Sequence, residues 1–215
     1  EDAERKFLTR SLPIGGVFID VGSNIGLHAL TAADMVGEKG KVIAFEPFST
    51  NFEKLKIHLR LNHQFQICAE KIALSDGIQS LTLKYDAREK NLGMASAHQE
   101  KYTHSETVPC TSLDLYLQEK QLGQIDAIKL DIEGNELKAL RGMKETLKRY
   151  KPKLLVEILD AKVGQLPKAD PVSLFLSELG YQVFFVCQDG CISSQFDGRY
   201  SRNFAFVHPE QARPC

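Results

Sequence analysis

Short apolar runs alternate along this chain with longer stretches in which apolar residues recur at helical spacing. That alternation predicts a mainly parallel sheet covered on both faces by helices, the doubly wound α/β class. Val17–Val21, Lys41–Glu46, Ile67–Leu74, Ile125–Leu130, Lys153–Leu159, Tyr181–Cys187 and Asn203–Val207 read as strands. Leu27–Val36 reads as a helix closed by the turn from Gly37 to Gly40. Thr50 and Glu53 have capping-box spacing and open a helix carrying Phe52, Leu55 and Leu59. A third helix carries Leu137, Leu140 and Leu147 on one face, and a fourth, Val172–Leu179, stops at Gly180. The turn-rich stretch Gly190–Ser201 favours a hairpin return into the last strand. Leu81–Tyr85 and Thr107–Cys110 predict an extra strand pair at an edge. Between them Asp86–Glu106 is polar and aperiodic, and a loop that long in a compact domain is usually functional or mobile.

Composition narrows the class without naming a function. The 215 residues show no repeat, low-complexity tract or linker-like shift, so one domain over 1–215 is expected, burying roughly 70% of its unfolded surface. No apolar run approaches the ~20 residues a membrane span needs. The start, from Glu1 to Lys6, is charged, lacks the apolar segment of a signal peptide, and lacks an initiator Met, as a fragment would. A cytoplasmic location is the expectation. Net charge is −1, with Lys and Arg scattered where a phosphate binder would show a basic stripe, so no nucleic-acid partner is expected. Cys68, Cys110, Cys187, Cys191 and Cys215 lack zinc-ligand spacing. Reduced, buried thiols are the favoured reading, and a Cys187–Cys191 disulfide is the minor alternative.

The first chemical signal is Asp20-x-Gly22-x-Asn24-x-Gly26, set between a strand and a helix. Glycines there let backbone approach a ligand and bare the amides at a helix N-terminus. A dinucleotide fingerprint would place glycines at 24 and 27, where this chain has Asn24 and Leu27, so an NAD pyrophosphate fits poorly. Asp20 suits a cationic amino-acid moiety, acting on it directly or by ordering the loop. Glu46 ends the next strand 20 residues beyond Gly26, where a carboxylate accepts from ribose hydroxyls. Together these favour an adenosine cofactor without a pyrophosphate.

A second acidic run, Lys129-Leu130-Asp131-Ile132-Glu133-Gly134-Asn135-Glu136, also follows a strand and starts a helix. Ligands in such sheets sit outside the carboxyl ends of the strands, so Asp131 and Glu157 should converge on the crevice of the glycine turn. Asp131, Glu133 and Glu157 are therefore candidate acid/base groups. Two acids without a neighbouring His match a hard-oxygen cation site only loosely, which leaves a divalent metal undecided. Glu136 in the first helical turn is explained equally well by the helix dipole, and Lys129 by a structural ion pair. His28 has a bland reading as a turn residue. His98 and His104, with Tyr102, are the histidine candidates for substrate contact in the polar loop, where plain solvation competes.

In collinear order, Phe18–Gly26, Phe45–Pro47 with Asn51, Ala73–Asp76, Lys129–Glu136, Leu140–Gly142 and Glu157 make this sequence resemble the FkbM family of class I methyltransferases. The resemblance spans about residues 1–160 and weakens towards 207. It implies a Rossmann-like, mainly parallel seven-stranded sheet whose last strand is antiparallel, with a small edge β insertion. It implies S-adenosyl-L-methionine as cofactor, bound by the half up to about residue 135. Asp20, Gly22, Ser23, Asn24 and Gly26 would line its methionine part, and Glu46 would hold the ribose. Pro47 and Phe48 would lie beside the adenine, Asn51 would join the cofactor site, and Ala73, Leu74 and Ser75 would pack around or hydrogen-bond the adenine. The stretch 86–106 would be the substrate loop. The family's chemistry implies O-methylation of a hydroxyl on a sugar, glycan or polyketide-like metabolite, and the placement of the acids suggests that Asp131 or Glu133 positions or deprotonates that hydroxyl, with Glu157 in support. An N-methyltransferase acting on a small amine or protein would carry an Asn/Asp-Pro-Pro-aromatic motif where this chain has Asp131-Ile132-Glu133-Gly134. A non-catalytic nucleoside-binding module would have little use for the three acids.

Overall fold

The computed structural model describes residues 2–85, 102–118, 120, 122–199 and 201–211. Helix α1 (Asp2–Ser11) precedes β1 (Val17–Val21), α2 (Leu27–Val36), β2 (Lys41–Phe45), α3 (Ser49–Leu61) and β3 (Ile67–Glu70). Three further strands follow, β4 (Ala73–Leu74), β5 (Gln79–Tyr85) and β6 (His104–Thr111). The second half comprises α4 (Leu113–Gln118), β7 (Ala127–Leu130), α5 (Glu136–Arg141), α6 (Lys144–Tyr150), β8 (Lys153–Glu157), α7 (Pro171–Glu178), β9 (Gln182–Val186), β10 (Ile192–Ser193) and β11 (Asn203–Val207).

The main sheet runs β10-β9-β11-β8-β7-β1-β2-β3. Its centre is parallel, and β11 is antiparallel to both β8 and β9. Seven strands correspond to the expected sheet. The eighth, β10, is a two-residue return pairing with β9 inside the stretch expected to form a hairpin. Strand alternation splits the core in two, because successive side chains point to opposite faces. Val17, Ile19 and Val21 join Ile128, Leu130, Leu154 and Val156 under the α5–α7 side. Phe18, Ala44, Ala127 and Leu155 join Leu8, Ala29, Ala32 and Leu55 on the side of α1–α3.

Four sequence expectations change. Ile67–Leu74 is two strands in two sheets: β3 pairs with β2, whereas β4 pairs with β6 in a small β4-β6-β5 sheet. The apolar run continues across the break, so periodicity could not mark it. The helix carrying Leu137 to Leu147 is two helices, and an added Cβ on Gly142 would lie 1.9 Å from the carbonyl oxygen of Ser75. Glycine there lets the small sheet approach, and α6 restarts under a cap lent by Asp114, which accepts from the Glu145 and Thr146 amides. The capping box at Thr50 does not form. Helix α3 begins at Ser49 with no side-chain bond from its N-cap residue, Phe48, and the Ser49 amide donates instead to Glu106 on β6 at 3.1 Å. Among the described residues Cys68, Cys110, Cys187 and Cys191 are free thiols, so the Cys187–Cys191 bridge is absent and Cys68 is exposed rather than buried. No described helix is long and apolar enough to cross a membrane.

Candidate functional site

A cleft of about 390 Å³ opens at the carboxyl ends of β1, β2, β7 and β8, where a doubly wound sheet binds its ligands. Gly22, Ser23, Asn24, Glu46, Pro47, Phe48, Asn51, Ala73, Leu74, Asp131, Glu133 and Glu157 all line it. Three expected residues do not. Asp20 is fully buried beneath the turn, Gly26 packs against Leu55, and Ser75 turns to Gln79 and Asp76. All three stand behind the lining, and Asp20, expected to act directly or by ordering the loop, holds the Ser23 hydroxyl of that loop.

The turn shows why. Asp20 and Lys129 are register partners on β1 and β7, and both side chains point to the α1–α3 side. The Lys129 ammonium lies 3.7 Å from Asp20 and 3.3 Å from Asp131, and is 3.4 Å from the Gly22 carbonyl oxygen, which accepts from it. Burial pushes the Lys129 pKa down, but the charges of Asp131 and Asp20 outweigh it and leave the ammonium held above its ordinary value. Ser23 donates its hydroxyl to Asp20 at 2.8 Å, and Asn24 sits in the left-handed region that Asn tolerates, with φ 51°. Gly22 has φ 78°, and an added Cβ would lie 1.9 Å from the Asp131 carbonyl oxygen. Its glycine is therefore required by β7 as much as by any ligand. Gly22→Ala should cost about 3 kcal/mol or more in unfolding free energy, because neither backbone can yield. Gly77→Ala, where nothing lies within 4 Å, is the control and should leave Tm within a degree or two in a melting experiment.

Glu46 ties the glycine turn to the segment that leads into α3. One oxygen accepts from the Asn24 amide at 2.7 Å and the other from the Phe48 amide at 2.9 Å. A carboxylate oxygen can accept more than one hydrogen bond, so each oxygen has capacity beyond the one amide it holds. Burial drives its pKa up to about 7, assisted by the nearby charge of Asp20 and opposed by the two amides. Next to it an apolar wall is built from Phe48, Ile72, Leu74, Leu81 and Leu83. The last two come from β5, so the edge insertion is a wall of the cleft. Sequence reading missed Leu81 and Leu83, although their alternation with Tyr85 signals a strand with one apolar face. It also missed Ile25, Leu27, Ile72, Ile132 and Asn135 as lining residues, and Lys129 and His28, weighed as structural, line the cleft too.

On the opposite side, Asp131, Glu133 and Glu157 each offer a carboxylate oxygen, all within 4.8 Å of one another. The connection that presents them is braced by Glu136, whose carboxylate accepts from the Ile132 amide at 3.0 Å and the Gly134 amide at 3.3 Å. Glu133 takes φ 53°, unusual for this residue, ahead of Gly134 at φ 97°. Burial and then the charges of Asp131 and Glu133 hold the Glu157 carboxyl well above the usual carboxylate range. Burial and the charge of Asp131 push Glu133 up as well. The cluster thus retains a proton near neutrality and faces the same cleft as Glu46. His104 stacks on Tyr85, and Tyr102 is exposed beside Lys84, so neither lines the cleft. His98 and residues 86–101 of the expected substrate loop lie outside the described residues.

Comparison with known proteins agrees with this geometry. The family described as "Methyltransferase FkbM domain" matches residues 20–183. A hexuronic acid methyltransferase, AglP, of Haloferax volcanii is 28% identical over 131 residues, covering 61% of this chain and 51% of that protein. A protein of Beauveria bassiana called methyltransferase 1 is 25% identical over 168 residues, covering 70% of this chain and 67% of that one. The solved methyltransferase FkbM of Methylobacillus flagellatus KT superposes with a TM-score of 0.58 at 17% identity, covering 90% of this chain and 43% of that one. This chain therefore spans about half the length of the Haloferax relative.

Proposed function

This chain belongs to the FkbM methyltransferase family, and on that footing we propose that it transfers a methyl group from S-adenosylmethionine to a hydroxyl of a sugar or sugar-like acceptor. The observation that carries the reading is the meeting of Asp131, Glu133 and Glu157 in the cleft that Glu46 closes from the other side. The cleft volume lies within the range of small-molecule sites. Glu46 has two acceptor positions left for a ribose, and Phe48, Ile72, Leu74, Leu81 and Leu83 offer a surface for a planar base. The Haloferax relative is named for a hexuronic acid, which favours a sugar among the possible hydroxyl compounds.

S-adenosylmethionine supplies an electrophilic methyl group. The protein must hold an acceptor oxygen in line with it and take the hydroxyl proton. In this reading Asp131 takes that proton, with Glu157 hydrogen-bonded to it in support and Glu133 orienting the acceptor. The acceptor O–H bond would break as the new C–O bond forms and the methyl–sulfur bond of the donor breaks, its electron pair going to sulfur to leave S-adenosylhomocysteine, and the proton would stay in the carboxylate cluster until solvent removes it.

The same three carboxylates are hard oxygen donors that would hold a divalent cation, which would lower the pKa of a bound hydroxyl. We favour the proton-only version because positive charge is already present: Lys129 stands 3.3 Å from Asp131, and Glu157 retains its proton. Dialysis against a chelator should leave turnover within about twofold. Loss of activity that magnesium or manganese restores would replace this version with the metal-assisted one. The acceptor assignment is tested by screening uronic acids, neutral sugars and small amines with labelled methyl donor. Transfer to amines alone would overturn it.

A further inference from the structure

We propose that Glu106, on the β5–β6 hairpin, is a positioning residue for the cofactor cleft: it ties the hairpin to the start of α3 and so fixes the Glu46–Pro47–Phe48 turn. The proposal rests on reading that cleft as the S-adenosylmethionine site. Three separate segments meet at this tie. The Ser49 amide donates to Glu106 Oε2 at 3.1 Å, and the Ser49 hydroxyl donates to Oε1. Lys71, on the connection from β3 to β4, donates to the same hydroxyl at 2.5 Å and stands 3.5 Å from Glu106 Oε1. Burial pushes the Glu106 carboxyl up, but the Ser49 hydroxyl and amide, with Lys71, hold it below the usual range. An ionised carboxylate at this end of α3 also complements the helix dipole.

Ser49 is joined directly to the groups that face the cofactor. Phe48, the preceding residue, is buried against Leu83 and meets the Tyr85 ring edge-on at 4.7 Å. Its amide donates to Glu46, so any drift of Ser49 is passed to the Glu46 carboxylate through one peptide unit. Glu106 does not line the cleft. Its effect must act through geometry, by holding in place before binding a turn that would otherwise be ordered at the expense of affinity.

The test is calorimetry of S-adenosylhomocysteine with wild type, Glu106→Ala, Glu106→Gln, Lys71→Met and Glu46→Gln, with kcat and KM measured for each. Glu106→Ala should raise Kd, and KM for the cofactor, about tenfold while kcat at saturation stays within about twofold. Glu106→Gln should fall between, because its amide oxygen still accepts from Ser49 but no longer faces Lys71 with charge. Combining Glu106→Ala with Lys71→Met should add little to the first change, the mark of one shared contact. If Glu106→Ala does not fold, Glu106→Gln and Lys71→Met carry the same comparison. Unchanged Kd in the Glu106 and Lys71 variants, with binding lost in Glu46→Gln, would overturn the positioning role alone. A wild-type protein that binds no S-adenosylhomocysteine would overturn the cofactor reading, and this proposal with it.

Discussion

Asp131→Asn is expected to lower kcat about 10²- to 10⁴-fold while changing the Kd for S-adenosylhomocysteine by no more than about threefold. The amide keeps the size and polarity of the carboxylate but cannot accept a hydroxyl proton. The fold should survive, because the Lys129 ammonium retains Asp20 as its partner. A second measurement fixes the role. While Glu157 keeps its proton it donates to Asp131 and weakens that carboxylate as a base, and burial together with the neighbouring carboxylates makes the Glu157 proton hard to lose. The rising limb of the pH–rate profile should therefore lie well above the ordinary carboxylate range. Glu157→Gln removes a carboxylate facing Glu133 and Asp131, so the limb in that variant should move to lower pH. Turnover near that of wild type in both Asp131→Asn and Glu133→Gln would remove the acid cluster from the mechanism.

The second large effect concerns Glu46. Two hydrogen bonds from a ribose to a buried carboxylate are each worth about 1.5–3 kcal/mol, so Glu46→Gln should weaken S-adenosylhomocysteine binding about 10²-fold or more. The loss has a pH signature. The Glu46 carboxyl is held protonated up to about pH 7, and its ionised form is the better acceptor for two hydroxyls. Wild-type affinity should therefore tighten as pH rises through about 7 and level off above it, by up to about tenfold per pH unit on the rising part. Cofactor binding in turn lowers the pKa of Glu46. The Gln variant should show no such dependence. Flat wild-type binding from pH 5.5 to 8.5 would exclude Glu46 as the ribose ligand.

Much of this arrangement was legible in the sequence. The continuous apolar strands predict a doubly wound sheet, and acids at or just past the carboxyl ends of its strands, Glu46, Asp131 and Glu157, must then meet along that side of it. That inference needs only strand direction and a parallel sheet. What was not legible depends on contacts between segments distant in the chain. Gly22 looks like a ligand-contact glycine, yet its Cβ would strike the Asp131 carbonyl, a neighbour 109 positions away that strand register alone brings close. For Asp20 the sequence allows either a ligand contact or an acid that orders the loop; it points under the turn towards Lys129, because the pleat assigns it to the opposite face from Ile19 and Val21. The break between Glu70 and Ala73 carries no glycine or proline, and only the pairing of β4 with β6 reveals it. Thr50 and Glu53 have the spacing of a capping box, but Glu106, remote in sequence, already accepts from the start of that helix. The walls supplied by Leu81 and Leu83 follow from the same long-range docking of the hairpin.

The central claim is that the cleft between Glu46 and the Asp131 cluster holds an adenosine cofactor without a pyrophosphate. Titration calorimetry of the 215-residue chain with S-adenosylhomocysteine, S-adenosylmethionine and NADH tests it most directly. The account predicts saturable one-to-one binding of both sulfur compounds, lost in Glu46→Gln, with no heat of binding from NADH. Binding of NADH without either sulfur compound would contradict it.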